Sequence, residues 1–94
     1  MSAEAGGRRE EGKERLARVV GRTRARVLAA VREPLTTEQV AQVVGTAIST
    51  TSAHLNALAR DGLVTRRRER RLVYYELSDR GRSLIELLGD EYTV

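Results

Sequence analysis

Six arginines stand within twelve residues, Arg60, Arg66, Arg67, Arg68, Arg70 and Arg71, opposed there only by Asp61 and Glu69. A guanidinium is a planar, permanently charged fork whose N–H groups match the oxygens of a phosphate. The 94-residue chain has 17 basic and 13 acidic residues; this stretch alone carries its net charge of +4, leaving eleven of each sign elsewhere. Like charges held together oppose a compact state unless something negative neutralises them, so the patch points to a polyanion as partner. Arginine-rich codon usage accounts for 16 of the 17 basic residues being arginine, but not for their clustering. Just before the patch the chain does the reverse: from Gln39 to Ala59 no residue carries a formal charge. That neutral segment contains Ser49, Thr50, Ser52, Ala53 and Asn56. Asparagine pairs bidentately with adenine, hydroxyls serve bases or phosphates, and an alanine methyl meets the thymine methyl.

Other chemistries are poorly supplied. With no cysteine there is no disulfide, thiolate metal site or redox switch, and a single histidine, His54, makes no metal cluster. There is no glycine-rich phosphate loop and no carboxylate pair placed for acid–base work, so neither an enzyme nor a cofactor is expected. No run approaches the roughly 18 apolar residues of a membrane span, and the opening MSAEAGGRREEG lacks the apolar core of a secretion signal, so a cytoplasmic, nucleoid-associated protein is expected. A chain this short makes one domain, burying roughly two-thirds of its unfolded surface.

The elements that must position these residues follow from periodicity. Residues 1–12, small and charged with no apolar repeat, read as a disordered tail, and 13–94 as the folded domain. Leu16, Val19, Val20 and Thr23 at helical spacing, then Arg24, Val27, Leu28 and Val31, predict helices over about 10–20 and 22–32 joined at Gly21 and stopped by Pro34. Thr36 or Thr37 caps a third helix with Val40, Ala41 and Val44 buried, ended by Gly45. A fourth, about 48–61, carries Ile48, Thr51, Leu55 and Leu58 on one side and ends at Gly62. Two helices across so tight a turn form a helix-turn-helix. The period then changes to two: LVTRR and LVYYEL make a hairpin with Val73, Tyr75 and Leu77 on one face and the arginines 66–71 at its tip. Ser78 caps a last helix banded by Leu84, Ile85, Leu87 and Leu88. The fold class is mainly α with a small β-hairpin, in the order α-α-α-α-β-β-α, a winged helix-turn-helix.

The runs GRTRARVLAAV, LTTEQVAQVVG, STTSAHLNALARDGLV and RRERRLVYYELS, in this order and spacing, resemble the ArsR-type bacterial repressors over residues 16–90. The ending YYELSDRGRSLIELL is also similar in style to the MarR and PadR groups. The resemblance implies a homodimer paired through first and last helices, two recognition helices in successive major grooves of a palindromic operator, and repression relieved by a signal. It leaves room for a small-molecule effector. Metal sensors of that family use cysteines before the recognition helix, or histidine and carboxylate ligands on the last helix; this chain has neither, which implies a member that does not sense metal. The family's wing tip usually carries glycine where this chain has Arg70.

At 100° per residue, burying Thr51, Leu55 and Leu58 turns Ser49, Ala53, Asn56 and Arg60 outward, toward the groove. Thr50 and Ser52 flank that face, as DNA contacts or as helix-start residues bonding backbone. So neutral a helix supplies little affinity, which falls to Arg66, Arg67, Arg68, Arg70 and Arg71 on phosphate or in the minor groove. His54 reads as packed or phosphate-contacting rather than as a metal ligand. Adjacent strand residues point to opposite sides, so of Tyr74 and Tyr75 at most one is exposed, with Tyr75 in the core. Leu16, Val19, Val20, Leu84, Leu87 and Leu88 form bands on the terminal helices that either close the monomer core or, as the dimer reading has it, are covered by a second copy. The competing reading is a winged-helix protein-interaction module without specific DNA binding.

Overall fold

The computed structural model describes residues 2–90; of the expected domain limits, Met1 and residues 91–94 lie outside the described residues. Five helices and a two-stranded hairpin follow one another as α1 (Ser2–Val20), α2 (Arg22–Ala30), α3 (Thr37–Val44), α4 (Ile48–Arg60), β1 (Val64–Glu69), β2 (Leu72–Leu77) and α5 (Asp79–Ile85), with a π-helical turn over Glu86–Asp90. The expected winged helix-turn-helix is the fold observed.

Helical spacing on α2 puts Val27, Leu28 and Val31 in the centre of the core, where they meet Val40 and Val44 of α3 and Leu55 and Leu58 of α4. Burial of each such side chain stabilises the fold by about 1.5–3 kcal/mol. The hairpin closes the core with Val64, Tyr75 and Leu77, and α5 adds Ile85. Thr51, the one buried polar side chain among the described residues, donates from Oγ1 to the Ala47 carbonyl at 2.9 Å, so its hydroxyl is satisfied within its own helix.

The helix ends are cut by local chemistry. Thr36 Oγ1 accepts from the Gln39 amide at 3.2 Å while Gln39 Oε1 accepts from the Thr36 amide at 2.9 Å, a reciprocal cap that starts α3. At the end of α4, Gly62 sits at φ 77°; its amide donates to Ala59 O and that of Leu63 to Leu58 O, the Schellman arrangement. Ser78 Oγ then accepts from the Gly81 amide at 3.0 Å and donates to Gly62 O at 2.6 Å, tying the start of α5 to the end of α4. Gly81 lies so close to the Leu63 carbonyl that a Cβ there would collide with it, which is why α5 carries a glycine inside a helix.

Four features differ from the sequence expectation. The first helix begins at Ser2, not near residue 10, so the residues expected as a tail continue it, with Gly6, Gly7 and Gly12 set among alanine, glutamate and arginine, which favour helix. Among the described side chains its core contact starts at Leu16, with Val20 beside it. Ile48 is 52% exposed rather than buried, because as the first residue of α4 it precedes the turn that packs. Arg66, Arg67 and Arg68 lie along β1 itself, and only Arg70 and Arg71 form the turn. Finally, Leu35 makes a single bridge to Tyr75, with N–H···O distances of 2.7 and 3.0 Å, and the Leu77 amide donates to Val31 O, so the second edge of β2 is pinned to the chain leaving α2.

Candidate nucleic-acid interface

The candidate recognition element is α4, reached from α3 through Gly45, Thr46 and Ala47. Its inner side is fixed by Thr51, Leu55 and Leu58, and this turns Ser49, Ala53 and Arg60 fully outward with Asn56 half-buried among them. Thr50 is exposed on one flank and Ser52 half-buried on the other. The N-cap is Ala47, with no side-chain cap, so the first-turn amides of α4 are not taken up by a capping group. Arg26 donates from Nη2 to Val44 O at 2.8 Å, satisfying a carbonyl at the end of α3 and holding the turn against α2.

His54 stands between the outward and buried sides. Its Nδ1 accepts from Arg24 Nε at 3.2 Å. Its neighbour is therefore a cation, not other ligands, and among the described residues no group of three His, Cys, Asp or Glu side chains converges. Spacing set Arg24 in the inner repeat of α2 but did not show its partner; nothing in a helical repeat tells which arginine reaches across to α4.

The hairpin pairs Arg66 with Tyr75, Arg67 with Tyr74 and Arg68 with Val73. Alternation therefore sends Arg66 and Arg68 to the face shared with the buried Tyr75 and Leu77, at its solvent rim, and Arg67 to the other face with Tyr74 and Glu76. Tyr75 is the core residue of the tyrosine pair, as alternation requires. All five wing arginines are exposed. They differ in company: Arg67 reaches Glu69 at 3.5 Å and Glu76 at 3.7 Å and lies over the Tyr74 ring at 5.8 Å, whereas among the described residues Arg66, Arg68, Arg70, Arg71 and Arg60 have no ion-pair partner. The two-residue turn is made with Arg70 at φ 58° and no positive φ at Arg71. A type I′ turn needs positive φ at both positions, so this is not that turn, and the one position that does take positive φ is one that glycine ordinarily fills. Arg70 thus holds a strained backbone that places its charge at the extremity of the wing.

The terminal helices meet: α1 packs on the Glu86–Asp90 turn, where Arg15 Nε donates to Leu88 O at 2.7 Å. Of the six residues expected at a dimer seam, Leu16 and Val20 lean on the core of their own chain and Leu84 and Leu88 are half-buried, while Val19 (62%) and Leu87 (79%) are largely exposed. No helix of the described residues is long and apolar enough to cross a membrane.

Comparison with known proteins sets this geometry in a family. A family model described as a helix-turn-helix domain matches residues 22–67, from α2 into β1. Among solved structures, reduced HlyU from Vibrio cholerae is 32% identical, with 77% of this chain and 78% of that one covered at a TM-score of 0.64. A MarR-family transcriptional regulator from Silicibacter pomeroyi is 25% identical over 87% of this chain at a TM-score of 0.69. RV1404 from Mycobacterium tuberculosis, 21% identical over 84% of this chain at 0.73, shares the fold. The chain spans 60% and 59% of the lengths of the last two. No curated protein matches it. Taken with an exposed helix-turn-helix and an arginine-bearing wing, the match to HlyU over more than three-quarters of both chains means that this protein belongs to the winged helix-turn-helix family of DNA-binding transcriptional regulators.

Proposed function

We propose that the chain is a dimeric repressor of the ArsR-type branch that occupies a palindromic operator. The observation that carries this reading is the adjacency of two unlike surfaces. The exposed face of α4, Ser49, Ala53, Asn56 and Arg60 flanked by Thr50 and Ser52, offers hydrogen-bonding and methyl groups with one charge at its end. The hairpin packed against α4 offers arginines to phosphate or to the minor groove. In the major groove the helix reads bases, with Asn56 suited to adenine and Ala53 to a thymine methyl, while the wing fixes position and supplies charge. Val19 on α1 and Leu87 beside α5 are the exposed apolar groups a second copy would cover, which supports pairing through the terminal helices. With no cysteine and one histidine, the signal that releases the repressor is not a thiolate-bound metal. Branch membership is supported by the order and kind of the four sequence runs, while the absence of that ligand set is a departure from the branch's metal sensors.

Selection of bound duplexes from a random pool tests the reading. An inverted repeat is expected, with A·T-containing half-sites separated by about 10 base pairs or a multiple of that. Enrichment of a single unrepeated half-site would contradict the dimer, and no enrichment would contradict specific binding.

A further inference from the structure

We propose, resting on the DNA-binding reading above, that Arg67 stands off the DNA and that Glu76 is a positioning residue that holds it there, so that the wing grips with Arg66, Arg68, Arg70 and Arg71 alone. The two faces of the hairpin are charged differently. On one, Arg67 of β1 and Arg82 of α5 converge on Glu76, at 3.7 and 3.8 Å, and Arg67 also meets Glu69 at 3.5 Å. Two cations and two carboxylates leave that face neutral. The tip and the other face hold four arginines without a carboxylate among the described residues.

An isolated exposed ion pair contributes little and would yield to a phosphate. Arg67 is different because it is engaged from three sides: Glu69 along its own strand, Glu76 on the diagonal of the partner strand and the Tyr74 ring directly opposite. Glu76 is also the least hydrated of the four charges, its side chain 34% exposed against 48–62% for the others, so leaving it without a cation is costlier than at an open surface. Because Glu76 also binds Arg82, the same carboxylate ties the outer face of the wing to α5, which lies across the base of the hairpin. Glu69 and Glu76 thus act as internal competitors for phosphate, limiting how much sequence-independent affinity the wing supplies.

The test is binding of the full chain to a mixed-sequence duplex of about 30 base pairs between roughly 50 and 300 mM NaCl, where each lost phosphate contact lowers the log–log slope by about 0.9. Arg68→Gln is expected to lower the slope by about 0.9 per protomer, and Arg67→Gln to leave it unchanged. Glu76→Gln frees Arg67 and should steepen the slope by up to about 0.9 per protomer while tightening this non-specific binding several-fold; Glu76→Asp, which keeps the charge, should retain the wild-type slope. Equal losses from Arg67→Gln and Arg68→Gln, or an unchanged slope in a folded Glu76→Gln, overturn the assignment. If Glu76→Gln fails to fold, the Arg67–Arg68 contrast alone decides. A wild-type chain that ignores the duplex overturns the DNA-binding reading itself, whereas wild-type binding with equal arginine effects overturns only this assignment.

Discussion

Helix α4 and the wing are neighbours in sequence and in space, yet they solve opposite problems. Along α4 charge is withheld until Arg60, and the buried side, Thr51, Leu55 and Leu58, fixes the orientation of small polar groups to within one helical face. Along the hairpin, charge is concentrated on a two-stranded ribbon whose turn is strained and which is held to the body by the Leu35–Tyr75 bridge and the Ser78 contacts. Specificity requires a few groups held rigidly, whereas affinity for a polyanion requires charge and tolerates freedom. In the proposed reading the chain places each on the element suited to it.

Variants can break this contrast, beginning with the largest effect. Replacing Arg66, Arg68, Arg70 and Arg71 together by glutamine should weaken binding to every duplex about a thousandfold at low salt, without changing which sequence is preferred. Competition titrations against matched and scrambled duplexes check this, and a change in preference would show that the wing reads bases. Asn56→Ala should cost about 1–3 kcal/mol on the preferred operator and relax selection at one base position, with the salt slope untouched. A uniform loss over all sequences would place Asn56 on phosphate instead. The smallest effect sharpens the comparison from the stability side. Arg70→Gly relieves positive φ and should raise stability to denaturant by about 1 kcal/mol while removing one charge from the tip. Unfolding midpoints of the two proteins test it, and a destabilised variant would mean that the turn is not strained at Arg70.

Much of the recognition unit was legible in the sequence because each signal is local. Gly45 and Gly62 end helices, Thr36 and Ser78 start them, and apolar spacing of three and four selects the face that packs. The reading failed where structure depends on partners far along the chain. Which arginine of Arg66, Arg67 and Arg68 is neutralised depends on strand register, since only the pairing of Arg67 with Tyr74 brings Glu76 onto its diagonal. The Leu35 bridge is a single residue and has no period to detect. The N-terminal part of α1 contains three glycines and no apolar stripe, so amphipathic reasoning passes over it. Ile48 matched the buried repeat by spacing and still faces solvent, because a repeat does not tell where packing begins. Of the terminal bands, spacing could not separate Leu16 and Val20, which serve their own core, from Val19 and Leu87, which remain open.

The salt dependence of duplex binding by the purified wild-type chain tests the central claim most directly. If an unpaired arginine wing supplies the affinity and a neutral helix the choice of sequence, log Kd against log salt should be steep, corresponding to a slope of roughly −4 to −8 in the logarithm of the binding constant for a dimer. A slope near zero, or no binding to double-stranded DNA in dilute buffer, would contradict the account and favour a winged helix used for docking proteins.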